Sequence, residues 1–168
     1  EIEAADLTGL VLELALWGAG PGDLAFLTPP PSGSFAEAQA LLTQLGALKD
    51  GRITDHGRQL AALPLHPRLG HMLAVAGAQA APLAALLAER DPLRGAGADL
   101  TLRLDAIADP RRFAAAHPFT PDRGAVERIR AEAKRLRAKA EQQPRLSPAE
   151  MAALAYPDRI GLRRKGDA

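Results

Sequence analysis

The chain has 168 residues, a formal net charge of +1, 47% apolar residues, 4% aromatics and no cysteine. That length is enough for one sizeable core or two small ones. The missing cysteine excludes disulfides, thiolate nucleophiles and thiolate metal sites, and fits a cytoplasmic setting. Near-neutral balance means that affinity for nucleic acid has to come from local charge asymmetry. Much of the apolar content is Ala and Leu, which favours helices packed through small and straight-chain residues. No apolar run approaches the roughly 18 residues of a membrane span, so no membrane partner is expected. No signal peptide is visible, and the opening on Glu1 in place of Met is expected of a piece of a longer chain.

Glu1 to Trp17 reads as an amphipathic helix, with Leu7, Leu10, Val11, Leu14 and Trp17 on one apolar stripe. Gly18, Gly20, Pro21 and Gly22 stop it. This glycine cluster follows a helix and lacks the Lys-Ser/Thr of a phosphate loop, so it reads as a turn. Leu24 to Leu27 is a short apolar run, and Pro29, Pro30 and Pro31 make a rigid extended connector. Ser34 and Glu37 have the spacing of a capping box for a second helix, whose buried stripe is Ala38, Leu41, Leu42 and Leu45 and whose stop is Gly46.

Asp50-Gly51 between Leu48 and Ile53 is a hairpin signal, because both turn residues tolerate positive φ. Thr54 can cap the next helix, which carries Leu60 and Leu63 and ends at Pro64. Helix, helix, small hairpin, helix is a winged-helix arrangement. Pro67 suits the first turn of another helix with Leu69, Met72, Leu73 and Ala76 buried. Gly77 and Pro82 separate that helix from one with Leu83, Leu86 and Leu87. The stretch Arg94 to Ala98 reads as a mobile loop. A further helix carries Leu100, Leu102, Leu104 and Ile107 and ends at Asp109-Pro110.

The longest pattern starts at Pro121 or Asp122. Val126, Ile129, Ala133, Leu136 and Ala140 repeat at 3, 4, 3, 4, a seam for packing on neighbouring helices. Arg128, Arg135 and Lys139 lie near the opposite face, with Arg130, Lys134 and Arg137 on the flanks. Such a face either is merely solvated or meets a nucleic-acid backbone, where Lys and Arg displace counterions from phosphate. Arg128, Arg130, Lys134, Arg135 and Lys139 are the candidate nucleic-acid contacts. Ser147-Pro148-Ala149-Glu150 is a capping box for a last helix, and a basic tail follows Asp158.

Catalytic chemistry is not evident in these residues. There is no ATP-binding lysine loop, no acidic metal-binding strand end and no Gly-x-Ser-x-Gly elbow. His56, His66, His71 and His117 have no metal spacing, and structural or surface roles are expected of all four. No catalytic residue and no metal ligand is therefore assigned.

Gly46-Ala47-Leu48, Ile53-Thr54, Gly57-Arg58, Leu63-Pro64-Leu65-His66-Pro67-Arg68-Leu69-Gly70 and Met72-Leu73 resemble the helicase-associated region of the DEAH-box ATP-dependent helicases. Ile2, Glu3 and Phe26-Leu27 resemble its start. Leu86 to Leu93, Asp99 to Leu104 and Ala155 to Ile160 are similar to the bacterial HrpB branch. The resemblance implies a mainly α fold, with a winged helix at 1–65, a ratchet-like helical bundle at 66–145, and a helical segment at 146–168 leading toward a further domain. It implies RecA-like motor domains in the same parent chain as partners, with ATP and Mg bound by the parent enzyme and no cofactor in these residues. It also implies single-stranded RNA or DNA passing a channel that the bundle helps to close, through sequence-independent backbone contacts. His56 and Arg58 are exposed candidates in the winged helix, which the family uses mainly as a scaffold, so Arg58 is equally suited to a motor-domain contact. A monomer is expected. The alternatives are a free-standing winged-helix DNA-binding protein with a helical interaction region, and an adaptor whose basic faces only solubilise it.

Overall fold

The computed structural model describes residues 6–20 and 32–161. The expectations for Ile2, Glu3, the Leu24 to Leu27 run and the three prolines fall outside them. The fold is a winged helix plus a helical bundle, with a two-stranded antiparallel hairpin as its sheet. The chain divides into two compact units, one of Glu1–Arg68 and Ala153–Ala168, the other of Leu69–Ala152.

In the first unit, α1 covers Thr8–Trp17, α2 Ser32–Gln44, β1 Leu48–Lys49, β2 Arg52–Ile53 and α3 Asp55–Ala61. Leu7, Val11, Leu12, Ala38, Leu42, Ala47, Leu48 and Leu60 form its core. Two helix stops read from glycine are observed. Gly18 and Gly46 both have left-handed φ, and the following amides of Ala19 and Ala47 donate back to the carbonyls of Leu14 and Leu42. The hairpin registers Leu48 with Ile53 and Lys49 with Arg52. Its two-residue turn puts both Asp50 and Gly51 at positive φ. Thr54 caps α3 by accepting from the amide of Gly57 at 3.0 Å, while its hydroxyl donates to the carbonyl of Gly46 at 2.6 Å. A Cβ at Gly57 would collide with the carbonyl oxygen of Ala47, so α3 lies against the hairpin closer than a side chain allows.

Four expectations change here. Trp17 is not in the α1 stripe: it is 76% exposed, and Leu12 is buried in its place. The helix starts at Thr8, with Asp6 and Leu7 outside it, and is apolar around most of its circumference, so a single stripe does not describe it. Ser34 is no cap, because α2 already begins at Ser32 and Ser34 lies within its first turn. The helix after Thr54 ends at Ala61, before Leu63 and Pro64, where its last amides are already satisfied.

In the second unit, α4 (Pro67–Ala76, its first two residues still in the first unit), a 3-10 turn (Gly77–Ala80) and α5 (Ala81–Ala88) follow one another without a loop. Pro82 therefore stands in the first turn of α5, where its missing N–H costs nothing, and does not separate two helices. The 22-residue run Pro67–Ala88 is long and apolar enough to cross a membrane by length and composition, contrary to the sequence reading. Its hydropathy comes from scattered Ala, Leu and Val, and 61% of the window is buried within the fold, as in a core helix. Leu69, Met72, Leu73 and Ala76 are buried as expected.

α6 covers Leu100–Ala108, α7 Pro110–Ala116, α8 Arg123–Arg137 and α9 Pro148–Ala155. α7 was not foreseen. Asp109-Pro110 looks like a terminator, yet Asp109 caps a new helix by accepting from the amide of Arg112, with Pro110 at its first position. Nor is Arg94 to Ala98 a free loop. Leu93 and Ala96 are buried with Ala106 and Phe113. Arg103, itself only 7% exposed, donates twice to Asp91, at 2.9 and 2.6 Å, and to the carbonyls of Asp99 and Gly97. The turn at Gly77 is likewise stapled. Its φ is +74°, a Cβ there would meet the chain at Glu141 and Gln143, and the Ala78 amide donates to the Glu141 carbonyl at 2.8 Å. Ser147 and Glu150 form the expected capping box, each amide donating to the other's side chain.

Candidate nucleic-acid interface

α8 forms because Asp122 caps it, accepting from the amide of Ala125 at 2.7 Å, and because Val126, Ile129, Ala133 and Leu136 all turn to the core. Ala140 lies past the helix end and is half-buried. Burying that stripe pushes the cations to the two flanks. At about 100° per residue, Arg128 and Arg135 fall on one flank, while Arg130, Lys134 and Arg137 share an arc of roughly 60° on the other. Lys139 stands beyond the helix, past the Ala138 cap. The five residues expected to act together are therefore not on one face.

The two flanks differ in net charge. Arg128 reaches the Glu89 carboxylate at 3.3 Å, and Arg135 reaches Glu132 at 2.5 Å. The Glu89 carboxyl is held below its usual range, first by the amide of Arg90 and then by Arg128. Near the start of the helix, Arg123 is likewise paired with Glu127 at 2.9 Å. The other flank carries that Arg123–Glu127 pair at its start, but farther along it Arg130, Lys134 and Arg137 form no ion pair among the described residues. Arg130 donates to the carbonyl of Ala108, the last residue of α6, at 3.0 Å. That bond orients the guanidinium and leaves its charge uncompensated. Lys134 and Arg137 make no ion pair or hydrogen bond through their side chains among the described residues.

Two clefts border this second flank and share Ala108 and Arg130. One, of about 480 Å³, is rimmed by Arg130, Lys134, Arg137 and Asp105 over Leu83, Ile107 and Met151. The other, of about 790 Å³, lies between α7 and α8 and adds Arg111 together with the Arg123–Glu127 pair. Asp109 beside it is committed to capping α7. A strip of uncompensated cations along two adjoining clefts can hold a flexible polyanion, whose phosphates the cations contact while the clefts admit its bulk. Arg111 was missed in the sequence because the helix that carries it was missed. Arg137 could have been chosen from its i, i+4, i+7 relation to Arg130 and Lys134.

In the winged helix, Arg58 is exposed on α3, whereas His56 is half-buried. Lys49 and Arg52 stand directly opposite each other on the hairpin, facing away from the Leu48–Ile53 side. Among the described residues no group of three His, Asp or Glu side chains is placed to hold a metal.

Residues 38–65 match the winged-helix family described as helicase associated domain (HA2). The ATP-dependent RNA helicase HrpB of Escherichia coli strain K12 is 41% identical over 106 residues, which are 60% of this chain and 13% of that protein. The crystal structure of the E. coli DExH-box NTPase HrpB matches with a TM-score of 0.68 and 30% identity, over 98% of this chain and 19% of that one. A second crystal structure, of the E. coli DEAH/RHA helicase HrpB, matches with a TM-score of 0.71 and 29% identity, over 98% of this chain and 20% of that one. The chain thus spans about a fifth or less of the proteins it is similar to.

Proposed function

We propose that the chain is the helicase-associated region of an HrpB-type DEAH-box helicase, to which it is similar, and that it couples RecA-like motor domains of one parent chain to a channel for single-stranded nucleic acid. The parent enzyme hydrolyses ATP with Mg, and the residues of this chain carry none of that chemistry. RNA is the first substrate class to test, because the E. coli relative is named an RNA helicase. The bundle supplies part of the channel wall, and the strand is held through phosphate without base reading.

The observation that carries this reading is the group Arg130, Lys134 and Arg137 on one flank of α8, which form no ion pair among the described residues, while Arg128 and Arg135 on the opposite flank do. Arg128 and Arg135, already paired, then contribute less than their type suggests, and Lys139 stands apart beyond the helix end. The short α3 bears against the free-standing DNA-binding alternative. Only Arg58 and Gln59 stand out from its middle, fewer groups than groove reading needs.

Fluorescence anisotropy with single-stranded RNA and with duplex DNA, repeated at several salt concentrations, tests the proposal. Three or four phosphate contacts predict a slope of log K against log salt of about −2 to −3 on single strands. Binding should be weak and indifferent to sequence. Tight, sequence-selective duplex binding would favour the free-standing DNA-binding reading.

A further inference from the structure

The chain leaves the first unit after Arg68 and returns to it at Ala153. One side chain joins these two points. The Arg68 guanidinium, 10% exposed, donates through Nη1 and Nη2 to the two carboxylate oxygens of Asp158, at 2.5 and 2.8 Å. Nη1 also donates to the Ala155 carbonyl at 3.2 Å, so the same group closes the end of α9. Its carbon lies 5.1 Å from the centre of the Tyr156 ring, and Arg159 lies 5.3 Å from that ring. Carboxylate, carbonyl and aromatic partners thus all come from residues 155–158, about 90 positions away.

Arg68 is itself held in place. Its amide donates to His66 Nδ1 at 3.2 Å, so His66 acts as a cap at the start of α4. With Nδ1 accepting, Nε2 carries the proton and donates to Asp6 at 2.9 Å. Asp6 also accepts from the amide of Thr8 at the start of α1. The arrangement runs unbroken from the start of α1, through the start of α4, to the end of α9. Surface packing alone does not need a bidentate buried arginine with three kinds of partner.

We infer that Arg68 is a positioning residue, a clasp that fixes residues 153–161 on the winged-helix unit and ties the two ends of the helical excursion together. A load carried by the chain beyond Ile160 is then delivered to the first turn of α4. The clasp needs no nucleic acid, so it stands or falls separately from the role proposed for α8.

Hydrogen exchange of the whole chain tests it. Arg68→Met should speed exchange of residues 153–161 at least tenfold, with 48–53 and 125–136 unchanged. The charge-exchanged pair Arg68→Asp with Asp158→Arg should recover part of the protection. Tyr156 is the only tyrosine, so its ring resonances should shift in step. Should Arg68→Met fail to fold, Asp158→Asn keeps the bond to Ala155 and should give the same local loss in smaller degree. Unchanged exchange at 153–161, or an equal rise across the chain, would overturn the clasp.

Discussion

Each unit of this molecule buries one arginine against one aspartate, and the two pairs differ mainly in what they enclose. Arg103 and Asp91 are 12 positions apart, and the arginine's remaining donors go to carbonyls of the same loop. Arg68 and Asp158 are 90 apart, and the arginine's remaining interactions go to a segment that returns from elsewhere. Closing the longer span costs about 2 kcal/mol more chain entropy. Identical chemistry therefore does two jobs. In the helical unit it makes an irregular loop part of the core. In the winged-helix unit it is a fastening on a segment that could stand apart.

Mutating the arginines should expose that difference. Arg103→Met leaves Asp91 with the Leu93 amide as its remaining partner and strips two carbonyls of theirs, and should cost about 2–4 kcal/mol, read as a lower midpoint in urea unfolding. An effect under about 1 kcal/mol would mean that the loop holds itself. Gly57→Ala tests whether the first unit is rigid where its own fold is formed. A methyl against the Ala47 carbonyl should cost about 2–3 kcal/mol, again read in urea. Arg68→Met should cost less, about 1–2 kcal/mol, because the released segment can hydrate Asp158. A global loss as large as that of Arg103→Met would erase the distinction.

Acid should weaken both pairs from the same side. The hydrogen bonds from Arg68 hold the Asp158 carboxyl down at about 2, and those from Arg103 lower that of Asp91. A lowered folded-state pKa means that the contribution is complete above the ordinary carboxylate range and is lost as pH falls through the folded value. Thermal midpoints should therefore decline between about pH 4 and pH 2. Both contributions are reduced by solvent, since the Asp158 and Asp91 side chains are 37% and 48% exposed. Asp158→Asn and Asp91→Asn should each flatten part of the decline. A profile identical to that of the parent in both variants would show that neither pair is felt in stability.

How far this could be seen beforehand depended on range. The hairpin turn, the Thr54 cap, the Pro67 start and the Ser147–Glu150 box are local, and each was legible because the residues that make them are neighbours. The seam of α8 was legible from its 3, 4 spacing. What depends on distant partners was hidden. Arg103 stands between Leu102 and Leu104, and nothing near it in the chain points to Gly97 and Asp91 as its partners. Asp109-Pro110 reads equally as the end of one helix or the start of another, and it serves as both. The candidate cations were identified by type, but their division into paired and unpaired groups depends in part on Glu89, which arrives from the end of α5.

That division is the central claim, and one comparison tests it most directly. Arg130→Gln, Lys134→Gln and Arg137→Gln, combined, should weaken binding of single-stranded RNA about tenfold or more at low salt. The slope of log K against log salt should shrink by about 2. Arg128→Gln with Arg135→Gln should leave affinity within about a factor of two, since their charges are already answered by Glu89 and Glu132. Equal losses from the two sets, or a larger loss from the second, would contradict the assignment of the interface to the Arg130 flank.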